Sequence, residues 1–326
     1  MDITEAGYYR QQLLDRRQRI EGVLGVPGAN ARLRDLLSEV DCALRRLDEG
    51  SFGLCEVCHE GIEKDFLAAD PLTRFCLEHL SSAQQRALER DLELASCIQG
   101  KLLPKPGLVS GGFEVHYHYE PAGPTSGDYC DYLVSPDGDG KLTFIVGDVS
   151  GKGIAASLLM SQLHAMFHSL TSFGMPLGDL VTRVNRLFCQ SVSANRFATL
   201  VCGILSPDGA LEICNAGHPP PLLTRTDGVT PVEATGLPVG IFCESEYEAR
   251  RYTLGPGDTL FLFTDGLPEA SHDGEDYGTE RVARLAGECR GLSAVAWVDA
   301  FAADLRAFLR GTPKPDDLTL MAIRRH

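Results

Sequence analysis

The run LTFIVGDVSGKG, residues 142–153, constrains this chain more than any other segment. Its apolar part reads as a buried strand that ends in Asp148, and a glycine-rich turn then opens an amphipathic helix. A second run, TLFLFTDG, ends in Asp265, and the pair Asp316-Asp317 starts the final apolar run LTLMAI. A carboxylate at the end of a buried strand is held at a rim, where it faces a ligand. Carboxylates at the ends of several such strands are what a metal site built on a sheet requires. The turn does not read as a phosphate loop. Three residues rather than four separate Gly147 from Gly151, and Gly153 follows Lys152 where a magnesium-binding hydroxyl would stand.

From Phe113 onward the pattern is strand-like: FEVHYHYEP, YCDYLVS and LTFIVGD are separated by turn signals. Helical patterns follow over about 152–172 and 177–193. FATLVCGILS and ALEICNAG then read as a hairpin, YEARRYTL and DTLFLFTD as strands, 278–289 and 294–310 as helices, and the chain ends in a strand. Strands in pairs followed by helices in pairs predict an α+β sandwich rather than alternating βαβ units. The first fifty residues are helical, broken at GVPGAN, with Asn30 as the N-cap of the second helix and Gly50 as its stop. A long helix over 81–103, capped by Ser81 or Ser82, carries Leu88, Leu92, Ala95, Ile98 and Leu102 on one stripe. That stripe predicts a homodimer through a short coiled coil. The expected domains are 1–80, a linker helix 81–104, and 105–326.

At 326 residues the chain is long enough for two domains. No apolar run is long enough to span a bilayer, and the polar start MDITEAGYYRQQ predicts a cytoplasmic protein. The net charge is −15, and both the first hundred residues and the remainder are acidic. Neither carries the basic surplus that non-specific nucleic-acid binding needs.

Among eleven cysteines, Cys42, Cys97, Cys130, Cys189, Cys202, Cys214 and Cys289 are scattered and read as small buried hydrophobes in a reducing compartment. Cys55-x2-Cys58 and Cys76-x2-His79, seventeen residues apart, have metal-ligand spacing. Three sulfurs and one imidazole close a tetrahedral zinc shell with no open position, so a structural rather than catalytic zinc is expected. His59 is off this pattern and reads as an exposed loop residue. The surrounding sequence LDEGSFGLCEVCHEGIEKDFLAADPLTRFCLEH resembles the DksA/TraR zinc finger through Gly50, Gly53, Ile62, Ala69 and Pro71. His79 replaces that family's usual fourth cysteine, and no long coiled-coil tip is evident. The resemblance therefore implies a protein contact rather than action in the RNA-polymerase channel.

Phosphoester hydrolysis at neutral pH calls for an activated water and neutralised phosphate charge, which two hard divalent ions supply. Asp128, Asp131, Asp148, Asp265, Asp316 and Asp317 offer oxygens of the right kind. The ordered motifs SGDYCD, GDVSGKGIAASLLM, NAGHPPPLL, GLPVGIF, GDTLFLFTDGLPEA and DDLTLMAI resemble the PPM-type metal-dependent serine/threonine phosphatases of the SpoIIE/RsbU branch. LASCIQGKLLP matches the linker helix of that branch. The resemblance implies an α/β/β/α sandwich with two Mn²⁺ or Mg²⁺ ions at one edge of two antiparallel sheets. Asp148 would bridge both ions, the Val149 carbonyl would bind one, and Asp265 and Asp316 the other. Asp128 would hold a bound water, with Asp131 in support and Asp317 as the alternative to Asp316. Asn215 and His218 are expected to be structural. The departures, Ser126 and Cys130, remove no oxygen ligand. The implied substrate is a phosphoserine or phosphothreonine on an anti-anti-sigma-like regulator. The competing reading is a zinc-finger module that contacts RNA polymerase or another partner, with the phosphatase fold as a scaffold.

Overall fold

A computed structural model describes residues 3–24, 31–135, 137–192 and 196–326. The chain divides into two compact units, Met1–Asp91 and Leu92–His326.

In the first unit, helices α1 (Ile3–Leu24) and α2 (Ala31–Glu49) run antiparallel, as the ion pairs Arg10–Asp48 at 2.6 Å and Arg17–Asp41 at 3.2 Å require. The expected cap Asn30 and the break GVPGAN lie outside the described residues. Leu13, Ile20, Val40, Ala43 and Leu44 pack into one core with Phe52, Ile62, Leu67, Cys55 and Cys76. The last five come from the cysteine loops, which also hold the short helix α3 (Lys64–Ala69), carrying Leu67, and the 3-10 turn Leu77–His79 after Cys76. Two helices of this length cannot bury much by themselves, so the cysteine loops complete their core.

Helix α4 (Ser82–Gly100) crosses the division between the units. It starts with a capping box: the Gln84 amide N–H donates to the Ser81 hydroxyl, and the Ser81 N–H to the Gln84 side chain. Its buried residue is Gln99, while Ile98 is 54% exposed. The inward stripe therefore runs through Leu92, Ala95, Gln99 and Leu102, and Ile98 is off it. Helical periodicity admits either residue, and only the fold shows which one faces inward.

The second unit is two antiparallel sheets between two pairs of helices. The first sheet has the order β3-β4-β5-β6-β9: Asp128–Val134, Leu142–Val149, Ala198–Leu205, Ala210–Ala216 and Arg250–Thr253. The second has the order β1-β2-β13-β10-β7-β8: Leu108–Ser110, Phe113–Glu120, Leu318–Arg325, Thr259–Phe263, Leu222–Arg225 and Gly228–Pro231. A small hairpin joins β11 (Ser271–His272) to β12 (Glu275–Asp276). Helices α5 (Gly153–Thr171) and α6 (Leu177–Cys189) cover the first sheet, and α7 (Thr279–Glu288) and α8 (Ala294–Leu309) the second.

Three apolar layers result, and the period of two along each strand assigns every residue to one of them. On β4, Ile145 and Val149 face α5 and α6, while Leu142, Phe144 and Val146 face the other sheet. On β10, Phe261 and Phe263 face α8, while Leu260 and Leu262 face inward. Burial on both faces is why these strands read as continuous apolar runs. Trp297, the sole tryptophan, is fully buried on α8 against Phe261 and Phe301, with ring centroids 5.5 and 5.9 Å away. The architecture is the mixed α+β sandwich expected. Among the described residues no helix is long and apolar enough to cross a membrane. Cys130, Cys202, Cys214 and Cys289 are buried as expected, but Cys97 is exposed, because it lies on the outward side of α4.

Candidate functional site

Asp128 and Asp148 are cross-strand partners at the same end of β3 and β4. Both sit at even positions, so both face the gap between the sheets, in line with Cys130 and Val146. Asp265 follows β10 and Asp316-Asp317 precedes β13; these two strands are neighbours in the other sheet, so their ends meet the same gap. The acidic groups are close enough to act on one another. Burial raises the Asp148 pKa to about 8, reinforced by Asp265, Asp316 and Asp317, with Lys152 opposing. Burial, Glu269 and Asp316 likewise raise Asp265. Lys152 pairs with Asp316 at 3.0 Å and donates to the Pro315 carbonyl at 2.6 Å. One exposed ammonium does not balance this much negative charge. A gathering of oxygen donors short of positive charge fits hard divalent cations.

Each carboxylate has a different environment. Asp128 is buried, and its Oδ2 accepts from the hydroxyls of Thr319 at 2.6 Å and Thr264 at 2.9 Å. Burial and Asp148 push its pKa well up, and the two hydroxyls oppose that. Asp317 is also buried, with Oδ1 accepting from the Ala122 amide at 2.7 Å and Oδ2 from the Gly127 amide at 2.9 Å. It anchors the loop that leads into Asp128. Asp316 is more exposed and keeps its Oδ2 toward Lys152. The geometry thus separates the adjacent pair: one residue holds backbone and the other faces the rim. Val149 donates its amide to the Gly127 carbonyl at 3.3 Å. A Cβ on Gly127 would meet the Val149 carbonyl oxygen at 2.9 Å and Asp148 Oδ1 at 3.3 Å, so only glycine lets this loop lie against both.

Asp131 is not brought to the rim. It lies three residues along β3 from Asp128, which turns it to the opposite face, under α5. Its Oδ2 accepts from Tyr129 Oη at 3.1 Å and meets His168 Nε2 at 2.7 Å, and its Oδ1 accepts from the Tyr132 amide at 2.8 Å. The sequence expectation of a supporting role beside Asp128 is corrected by this reversal of side. Asn215 donates its amide to the carbonyls of His218 and Val232 and accepts the His218 N–H, which locks the turn at Gly217.

Thr264, Thr319 and Gln99 were not picked out from the sequence. The threonines carry a weak signal: Thr319 on β13, and Thr264 directly after β10, continue the period-two positions that face the sheet gap. Gln99 carries none. It donates to the Ser126 carbonyl at 2.7 Å and accepts the Ser126 amide at 3.0 Å, and Ser126 Oγ in turn accepts the Asp128 amide. The end of α4 is thereby tied to the loop of the site.

In the first unit, the donor atoms of Cys55, Cys58, Cys76 and His79 all lie within 4.8 Å of one another. The loop is shaped by the Cys55 amide donating to the Glu60 carbonyl at 2.8 Å and the His59 amide to the Cys55 carbonyl at 2.9 Å. His59 takes a left-handed φ of 60° in this turn, is exposed and is not one of the four grouped donors. Three sulfurs and an imidazole at this spacing fit zinc.

A two-sheet sandwich between helix pairs, with carboxylates gathered at one end of the sheet gap, is a PP2C-like fold. The SiaA-PP2C domain of Pseudomonas aeruginosa superposes with TM-score 0.64 at 20% identity, over 76% of this chain and 100% of that one. The RsbU and RsbW domains of Rv1364c from Mycobacterium tuberculosis give TM-score 0.56 at 32% identity, over 69% of this chain and 62% of theirs. RsbX, solved in complex with magnesium, gives TM-score 0.51 at 15% identity over 68% of this chain and 98% of its own. Residues 138–326, more than half of the chain, match the family Stage II sporulation protein E (SpoIIE). The chain belongs to that family. Phosphoserine phosphatase RsbU of Bacillus subtilis is 27% identical over 74% of this chain and 72% of its own length. Protein IcfG of Synechocystis is 26% identical over 72% of this chain, which spans only 42% of IcfG.

Proposed function

We propose that this chain is a metal-dependent phosphoprotein phosphatase acting on phosphoserine or phosphothreonine, with an anti-anti-sigma-like regulator as substrate class. The observation that carries the reading is the gathering of Asp128, Asp148, Asp265 and the Asp316-Asp317 pair at one end of the sheet gap, where burial and acidic neighbours raise the pKa of Asp148 and Asp265. The names of RsbU and the SpoIIE family match support it, as does the magnesium in RsbX. Two Mn²⁺ or Mg²⁺ ions would be held by Asp148, the Val149 carbonyl, Asp265 and Asp316, with Asp148 shared. When bound, such a pair lowers the pKa of a water and neutralises phosphate charge.

The chain's own groups do the positioning. Asp128, steadied by Thr264 and Thr319, orients the attacking water. Asp317 holds the 122–127 loop so that Asp128 keeps that position. No side-chain nucleophile is required, so no phosphoenzyme forms. The Cys55, Cys58, Cys76 and His79 cluster belongs to a module of the DksA/TraR type holding one structural zinc and serving a protein contact. Helix α4 pairs with its copy in a dimer. Leu94 and Ile98, one turn apart and both more than half exposed, support that contact. Sedimentation of Ile98→Asp as a monomer beside a wild-type dimer tests it.

The deciding experiment is hydrolysis of a phosphoserine peptide by the full chain with Mn²⁺. Turnover that EDTA stops is expected. Absence of turnover from both the full chain and residues 92–326 would favour the interaction protein with a phosphatase scaffold.

A further inference from the structure

The carboxylate that left the rim has a setting of its own. Asp131 is nearly completely buried, and its ion-pairing neighbours among the described residues are two histidines one helical turn apart on α5. His168 Nε2 is 2.7 Å from Asp131 Oδ2, and His164 Nδ1 is 4.0 Å from the same oxygen. The two imidazoles meet edge to face with ring centroids 4.0 Å apart. The three donor atoms lie within 4.8 Å of one another.

We propose that Asp131, His164 and His168 form a second transition-metal site, separate from both the carboxylate rim and the Cys3His cluster, that takes Zn²⁺ or a similar imidazole-seeking divalent ion. Two histidines at i and i+4 on a helix, with a carboxylate from a neighbouring element, are a donor set for such an ion. Mixed nitrogen and oxygen donors also discriminate against Mg²⁺, which keeps to oxygen.

The distances agree with this assignment. Tetrahedral bonds of about 2.1 Å set donors roughly 3.4 Å apart. The observed 2.7 and 4.0 Å fall on either side, so side-chain rotations of less than about 1 Å complete the shell. His164 supplies a second, independent sign. Its Nδ1 is fully enclosed and has no hydrogen-bond partner, although it points at the carboxylate. An enclosed polar atom without a partner costs about 1–3 kcal/mol, and a metal bond satisfies it. Nor does any lysine or arginine pair with Asp131 among the described residues: beside the hydrogen bonds from Tyr129 Oη and the Tyr132 amide, the groups there that can carry positive charge are the two imidazoles.

The fourth coordination position opens on the side of His168, whose side chain is 42% exposed. His168 also lines a cavity of about 460 Å³ with Leu133, Ser135 and Thr171, through which an ion and its water enter. Once bound, the ion pins the C-terminal half of α5 to β3, the strand that carries Asp128.

The test is zinc content of the full chain, dialysed against Zn²⁺ in an excess of Mg²⁺ that keeps the carboxylate rim occupied. Two zinc per chain are expected in the wild type and one in His164→Ala. His168→Gln keeps a polar group at a part-exposed position, so it stays folded and should also hold one. Cys58→Ser should lose the other equivalent, leaving one. In zinc-soaked crystals, an anomalous peak is expected within bonding distance of Asp131, His164 and His168. A wild-type content of one zinc, or His168→Gln retaining two, overturns the proposal. So does a second equivalent lost in Asp148→Asn but kept in His168→Gln, which would place that zinc at the rim. Phosphatase turnover is not the readout, so failure here leaves the proposed activity standing.

Discussion

The cysteine cluster and the carboxylate rim gather donors of one kind in opposite ways. The cluster takes its four donors from one short stretch, Cys55 to His79, and its three sulfurs pack in the core of the first unit. The rim takes its donors from four strand ends, Asp128 to Asp317, held by three apolar layers that exist without any ion. A small unit whose core includes its metal donors folds and ligates in one event. A sandwich folds first and then presents its carboxylates. Metal removal should therefore unfold the first region and merely silence the second.

The strongest attempt to break that contrast is Asp148→Asn. It removes the charge shared by both proposed ion positions, and Mn²⁺-dependent turnover should fall by about a hundredfold or more. The sandwich should stay as stable as the wild type or gain slightly, because a carboxylate crowded by acidic neighbours has become neutral. Turnover and urea denaturation measured on the same preparation check this. Wild-type turnover would remove Asp148 from the site, and an unfolded sandwich would remove the contrast.

Cys58→Ser attacks the other side. Losing a thiolate from a zinc shell forfeits much of a binding free energy of about 10 kcal/mol or more, so residues 51–80 should become protease-sensitive. Residues 92–326 should resist digestion as before. Equal loss of both units would mean that the sandwich depends on the cluster.

The adjacent pair Asp316 and Asp317 sharpens the rim itself. Asp316→Asn should weaken metal binding, with turnover partly restored at high Mn²⁺. Asp317→Asn sets an amide N–H₂ against a backbone N–H, so its loss should be insensitive to Mn²⁺. Identical Mn²⁺ dependence of the two variants would erase the distinction drawn from their hydrogen bonds.

The smallest effect expected is that of Thr319→Val, which keeps shape and removes one hydroxyl from Asp128. A hydrogen bond to a charged group contributes about 1.5–3 kcal/mol, so unfolding free energy should fall by about that much, read from urea denaturation. Turnover should drop roughly tenfold, since about 1.4 kcal/mol corresponds to a factor of ten. An unchanged unfolding curve would show that Thr264 alone satisfies the carboxylate.

What the sequence made legible follows the same division. The cysteine ligands sit at fixed local spacing, and the strand-to-Asp junctions combine two local signals, apolar runs and a terminal carboxylate. Contacts across long sequence distances were not readable. The side of β3 on which Asp131 falls depends on which face packs against α5. Gln99 became an inward residue because Ser126 offered its amide and carbonyl, not because of helical period. The strands Leu108–Ser110, Leu222–Arg225 and Gly228–Pro231 are too short for alternation to stand out, and their sheet partners define them. YEARRYTL reads as one strand, yet only Arg250–Thr253 pairs with β6. Tyr247 instead fills the layer under α6 and donates its amide to Thr182, so the first half of the run serves packing.

Trp297 makes the two regions separately visible. As the only indole in the chain, it lies wholly within the layer between α8 and the second sheet, and its Nε1 has no hydrogen-bond partner among the described residues. Its fluorescence emission is therefore that of a dry hydrocarbon setting and shifts to the red when water reaches that layer. Zinc stripped from the cysteine cluster leaves this signal silent while the tyrosines of the first unit respond. One intrinsic chromophore thus tells a melting transition of the sandwich from one of the first unit, without a label or a truncation.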